Sequence, residues 1–124
     1  MAHDYDPENI FALILRGEIP SDKVMETEHS LAFRDVRPQA PVHVLVIPKG
    51  PYVDFDHFSA EASDAEMADF VRTVGEVARS EGVGTGEGEG FRLISNAGAN
   101  GVQEVPHFHV HVLGGKRLGR MLPS

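Results

Sequence analysis

The chain contains no cysteine, and its 11 Lys and Arg are outnumbered by 19 Asp and Glu, which leaves a net charge of −8. Without cysteine there are no disulfides, no thiolate metal ligands and no cysteine nucleophile. The acidic balance excludes general binding to a nucleic-acid backbone, which relies on clustered Lys and Arg. No apolar run approaches the roughly 18 residues of a membrane span. The first residues, Met1-Ala2-His3-Asp4-Tyr5-Asp6, are acidic and polar, unlike a signal peptide. What remains is 124 residues, 41% hydrophobic and 24% charged, enough for one core and not for two. A small domain in the cytoplasm is expected, with no partnership with nucleic acid or membrane.

Periodicity sets out the elements. Asp6-Pro7 followed by Glu8 to Gly17 reads as a short helix capped by Asp6, with Pro7 in its first turn and Gly17 closing it. Short strands are expected around Lys23–Thr27 and Leu31–Arg34. The run Val42-His43-Val44-Leu45-Val46-Ile47 is apolar on both faces, as a central strand should be. A long helix is expected from about Ala62 to Glu81, with Ser63 and Glu66 as its capping box and Met67 and Phe70 in its core. The glycine-rich stretch Gly82–Gly90 lacks the Gly-Lys-Ser/Thr ending of a phosphate-cradling loop and reads as a flexible linker. Strands over Phe91–Ser95 and about Pro106–Leu113 complete an α+β pattern.

The chemistry is concentrated in His107-Phe108-His109-Val110-His111-Val112-Leu113. Side chains alternate along a strand, so the three imidazoles share one face and Phe108, Val110 and Val112 the other. Three readings compete: a solvated polar face, a metal site, or a nucleophilic imidazole with neighbours that orient it and manage protons. Imidazole suits a phosphorus electrophile, because the bond to nitrogen both forms and hydrolyses readily. His43 becomes a fourth member if its strand neighbours this one. His3, His29 and His57 read as ordinary surface residues, His3 on a mobile terminus.

The segment His107–Leu113 resembles the histidine-triad (HIT) signature, His-φ-His-φ-His-φ-φ with φ apolar, at every position. Ala32 to Lys49 is similar to the family's upstream block, and the Asn96 loop, Gln103 and Gly114-Gly115 follow in the family's order. Gly114-Gly115 directly after the triad is similar to the Hint branch, the histidine-triad nucleotide-binding phosphoramidases. The resemblance implies a HIT-like α+β fold, a mainly antiparallel sheet with two helices packed on one face. It implies a single HIT domain over residues 1–124, its core from about 10 to 115 between a flexible N-terminus and C-terminal tail.

The resemblance also implies a function: hydrolysis of nucleoside 5′-phosphoramidates or related conjugates, most naturally of a purine nucleotide, to a nucleoside monophosphate. His109 would be the nucleophile, forming a covalent nucleotidyl-histidine. His107 and His111 would flank the phosphate, and His43 would complete the proton network. Asp35 would hold the ribose hydroxyls, and Ile10, Phe11, Phe33, Val36 and Leu45 would form the base slot. Asn96, Gln103, Glu104 and the backbone around Val105 would meet the phosphate and leaving group. No cofactor and no metal are expected, since the cysteines of the family's zinc-bearing members are missing. A homodimer joined sheet edge to edge is expected. The alternatives are a nucleotide-binding regulatory or scaffold protein with incidental turnover, and a dinucleoside polyphosphate hydrolase. Two departures stand out: Val102-Gln103-Glu104 where many Hint proteins have Gly-Gln-Ser, and Pro51 where some carry a further relay histidine.

Overall fold

A computed structural model describes residues 3–122. Along the chain come α1 (Ile10–Leu15), β1 (Lys23–Glu26), β2 (Ser30–Arg34), β3 (Val42–Pro48), α2 (Phe55–Glu61), α3 (Asp64–Ser80), β4 (Phe91–Ile94) and β5 (Val110–Gly114). The strands form one antiparallel sheet in the order β1-β2-β3-β5-β4. The doubly apolar β3 is therefore central, as its sequence requires. Among the described residues no helix is long and apolar enough to cross a membrane.

Alternation along the strands sorts side chains into two cores. Ala32, Val44, Val46, Phe108 and Val112 face α3, where they meet Phe70, Val74, Val77 and Ala78, with Phe58 of α2 closing the edge. Leu31, Phe33, Leu45 and Ile47 face the other way and are covered by Phe11 of α1. The two helices that share a face are thus α2 and α3. Helix α1 lies on the opposite side, where Phe11 packs.

Local chemistry explains the boundaries. The capping box of α3 is present in both directions, Glu66 N–H to Ser63 Oγ at 3.1 Å and Ser63 N–H to Glu66 Oε1 at 3.0 Å. At α1 the cap is Asn9, not Asp6: buried Asn9 Oδ1 accepts from the amides of Phe11 and Ala12, both at 3.0 Å. Asp6 instead accepts from Glu8 N–H at 2.9 Å, a turn one step earlier, so Pro7 precedes the helix. Helix α2 was not foreseen. Seven residues are too few to carry a strong periodic signal, although Asp54 caps it by accepting from His57 N–H at 2.9 Å.

The ends are better anchored than a flexible reading allows. His3 bonds Asp56 at 3.0 Å and stacks on His57, with ring centroids 4.7 Å apart. His57 itself is buried on α2, its Nδ1 accepting from Val53 N–H at 2.9 Å, so it is no surface residue. In the tail, Arg92 donates to the carbonyls of Gly119 (2.9 Å) and Arg120 (3.3 Å). The outermost parts of both expected flexible ends, residues 1–2 and 123–124, lie outside the described residues. The glycine linker is also built: Val83 is buried, and a side chain on Gly88 would sit 2.4 Å from the Gly82 carbonyl.

Phe70 is 4% exposed and packs on both Phe58 and Phe108, with centroids 5.3 and 4.9 Å away. Phe70→Ala should cost about 3–5 kcal/mol in chemical denaturation. A loss below 1 kcal/mol, well under that range, would mean that this cluster does not hold α3 to the sheet.

Candidate active site

Residues His107 to His111 keep the alternation of a strand, but of the three histidines only His111 lies within β5. The expected strand from Pro106 begins instead at Val110, opposite Val46. Upstream, the backbone finds other partners: Phe108 N–H donates to the Tyr52 carbonyl at 2.7 Å, and the His109 carbonyl accepts from Ser95 Oγ at 2.8 Å. Phe108 still points into the α3 core, while the imidazoles line the face covered by Phe11. Pairing of β3 with β5 sets Leu45 opposite His111 and His43 opposite Leu113. That register brings His43 Nε2 to 2.9 Å from His111 Nδ1, so His43 joins the cluster.

The partners of each ring decide where its proton sits. A backbone carbonyl can only accept and a backbone amide can only donate. His107 Nε2 lies 2.8 Å from the Pro48 carbonyl and therefore carries hydrogen. Its Nδ1 is left to accept, and the Tyr5 hydroxyl stands 2.7 Å away. His109 Nδ1 donates to the His107 carbonyl at 2.7 Å, which leaves the Nε2 lone pair of His109 available. His43 Nδ1 accepts from Gln39 N–H at 3.0 Å, so its Nε2 is the donor, aimed at His111 Nδ1 and, at 3.4 Å, Asp35 Oδ2. His111 is thereby fixed with its hydrogen on Nε2. Two rings with centroids 5.1 Å apart thus present opposite faces: a lone pair on His109 and an N–H on His111.

Burial keeps all four imidazoles neutral. It pushes His107 and His111 down to about 4, and lowers His43 and His109 as well; nearby imidazoles add to the fall at His107 and His111. His107 is fully buried and His109 is 6% exposed, so the row is no solvated face.

The remaining expected site residues divide. Phe11, Phe33 and Leu45 are buried in one apolar floor, with Val105 packed against it. Phe11 stands edge-on to the His109 ring, centroids 5.0 Å apart. Ile10 (47% exposed) and Val36 (92% exposed) are not brought into that floor. Asp35 sits at the end of β2 beside His43, its Oδ1 also accepting from Arg37 N–H at 2.8 Å. Asn96 is half-buried just past β4, and Glu104 is exposed. Gln103 must be reassigned: both protons of its amide are taken by the carbonyls of Val53 (2.6 Å) and Val105 (3.0 Å), leaving no donor for a phosphate. The Val105 carbonyl is likewise occupied, by Gln103 and by His107 N–H.

Sequence reasoning missed Tyr5, Ser95 and the carbonyl of Pro48. Nothing in the spacing marks them, because each reaches the triad through the fold. Asp35, His43 and His111 lie close enough to hold a cation. The donor set does not suit one, however, since the amide on His43 Nδ1 obliges its Nε2 to keep a proton.

The neutral state of the triad has a measurable consequence. The unfolded chain takes up protons on these imidazoles near pH 6.5, whereas folded His107 and His111 resist until about pH 4. The folded state binds fewer protons in that window, so stability present above about 6.5 is lost as pH falls toward 4. Thermal melts between pH 7 and pH 4 should show this decline, with His107 still neutral, its Nδ1 unprotonated, in long-range proton–nitrogen NMR spectra recorded well above pH 4. A His107 that titrates near 6.5 contradicts its burial.

Comparison with known proteins follows the same residues. The family model described as HIT domain matches residues 16–118. An uncharacterised HIT-like protein of Azospirillum brasilense is 62% identical over 122 residues, 98% of each chain. The purine nucleoside phosphoramidase of Escherichia coli is 43% identical over 115 residues, 93% of each chain. Among solved structures, a histidine triad protein from Clostridium difficile superposes with a TM-score of 0.80 at 38% identity, covering 96% of this chain and all of its own. A HIT family hydrolase from Clostridium thermocellum gives 0.82 at 35% identity, covering 93% of this chain and 97% of its own.

Proposed function

From the premise that this chain belongs to the HIT family, we propose that it hydrolyses nucleoside 5′-phosphoramidates or related nucleotide conjugates, releasing a nucleoside monophosphate through a covalent nucleotidyl-His109. The observation that carries this reading is the pair of complementary tautomers, the His109 Nε2 lone pair beside the His111 Nε2–H. In the first step Nε2 of His109 forms a bond to the α-phosphorus as the phosphorus–nitrogen bond to the leaving amine breaks. The amine leaves in that first step with the Nε2 proton of His111; in the second, water attacks the same phosphorus, its proton returns to His111 and His109 departs. The His111 N–H donates a hydrogen bond to a phosphoryl oxygen or to the leaving atom, stabilising charge that develops in the transition state. His43 holds that N–H in place by occupying His111 Nδ1.

A neutral, desolvated imidazole is the competent nucleophile, and burial supplies it at neutral pH. His107 acts from behind through its carbonyl, since both of its ring nitrogens are engaged. Asp35 is the acceptor for ribose hydroxyls, and the floor of Phe11, Phe33 and Leu45, with Ile10 and Val36, receives the base. Similarity to the E. coli purine nucleoside phosphoramidase supports a purine. No cofactor enters the reaction.

The decisive experiment is hydrolysis of adenosine 5′-phosphoramidate by the wild type and His109→Ala. AMP should be released by the first and at least about 10³-fold more slowly by the second. A wild type that binds AMP without turnover would instead favour the binding-protein alternative.

The working unit is a homodimer joined along β4. That edge strand exposes Phe91, Leu93 and Ile94, and with Phe55 and Val71 they line an apolar groove of about 670 Å³. An unpaired apolar edge is a template for pairing with a second copy. Light scattering should give about twice 13.5 kDa for the native protein and a monomer mass for Leu93→Asp. A native monomer would overturn the dimer.

A further inference from the structure

Tyr5 precedes α1 by five positions, in a stretch with no regular structure, yet its hydroxyl reaches the centre of the triad. It lies 2.7 Å from Nδ1 of His107, a ring with no solvent exposure, and the two rings meet edge-on with centroids 5.5 Å apart. The other nitrogen of His107 is committed to the Pro48 carbonyl. Nδ1 therefore needs a donor, and among the described residues the partner the structure gives it is Tyr5. Two further bonds tie the same residue: His107 Nε2–H donates to the Pro48 carbonyl, and the His107 carbonyl accepts from His109 Nδ1–H.

We propose that Tyr5 is a positioning residue of the triad, its hydroxyl locking the His107 ring and, through the His107 carbonyl, the orientation and tautomer of His109. The inference rests on the reading of His109 as nucleophile, and it extends the site to the segment ahead of α1. Tyr5 itself is only half-buried and remains a phenol, its ionisation pushed up by burial. The groups around it are Asp6, Asn9 and Arg16 on its own side, and His107 on the triad side. The segment is held at a second point, where His3 bonds Asp56 of α2. Tyr5 is thus delivered by a strap tied at both ends, by His3 to α2 and by Asn9 to α1.

A purely apolar role does not account for the hydroxyl, which meets His107 Nδ1 at 2.7 Å. A buried imidazole nitrogen without a donor carries the full cost of its desolvation, and a ring freed from one of its two tethers lets the carbonyl it bears move. Small misplacements of a reacting group cost disproportionate rate.

Tyr5→Phe in the full-length chain keeps the edge-on ring and removes only the hydroxyl. Two readouts are made on the folded protein, with thermal melting in parallel: kcat and KM for adenosine 5′-phosphoramidate, and the nitrogen resonances of His107. The expected result is a fall in kcat of about tenfold with KM within about twofold. The Nδ1 resonance of His107 should move toward that of a bare, non-hydrogen-bonded nitrogen. Unchanged kcat per folded molecule, or losses in kcat and KM that only follow the melting temperature, would make Tyr5 a structural anchor and overturn the proposal. Should the wild type not hydrolyse the substrate, the functional reading fails by itself. The nitrogen spectra still test the Tyr5–His107 bond, and a His107 resonance unmoved by Tyr5→Phe overturns it.

Discussion

Four neutral imidazoles are gathered on one side of the sheet, each with one lone pair and one N–H to place, and the rest of the site follows from which of these the fold occupies and which it leaves open. Two are satisfied directly by backbone groups whose chemistry admits a single direction: Pro48 offers only a carbonyl and Gln39 only an amide. From those two fixed points the proton positions of His107 and His43 are set. His109 and His111 take theirs in turn from the His107 carbonyl and from His43. No charged side chain is needed to leave a lone pair on one ring beside an N–H on its neighbour. This is why a strongly acidic protein can house such a site: the stabilisation is local, directional and shielded from the surface charge.

The sheet makes that arrangement possible because it is covered on both sides. The face toward α3 carries Val44, Val46, Phe108 and Val112 and supplies most of the apolar burial. The face toward α1 is smaller, with Phe11, Leu31, Phe33, Leu45 and Ile47, and the imidazoles border it. Antiparallel pairing of β3 with β5 places His43 beside His111, and a slip of one residue would turn the histidine of the slipped strand to the α3 core. The segment from Val105 to His109 leaves the ladder before β5 begins. Its amides and carbonyls are tied to Tyr52 and Ser95, which positions His109 without a neighbouring strand.

The loop before the triad carries its own strain. Val102 adopts φ 55°, a left-handed conformation that a β-branched side chain rarely occupies, where many Hint proteins have glycine. Beside it, Gly101 cannot be replaced, since a Cβ there would lie 2.6 Å from the Ala97 carbonyl. Gln103 holds this turn to the loop before α2 through the Val53 carbonyl. Its place in the family order is therefore kept, while its side chain serves loop geometry.

The sequence by itself determined the family, the centrality of β3, the alternation that puts Phe108 into the core and the imidazoles on the other side, and the capping box of α3. Each is written in residue type and spacing over a few neighbouring positions, where period 2, period 3.6 and cap chemistry act directly. The two-sided coverage of the sheet, helix α2, the burial of His57, and the roles of Tyr5, Ser95 and Pro48 were decided only by the tertiary structure. Asn9 in place of Asp6 as the cap of α1 sits between the two, since both residues can cap and burial selected one. Which nitrogen of each histidine carries its proton also belongs to the tertiary structure. That choice rests on backbone groups 2, 4 and 59 residues away, on a histidine 68 residues away and on a tyrosine 102 residues upstream of His107, and only the folded packing brings them within hydrogen-bond reach.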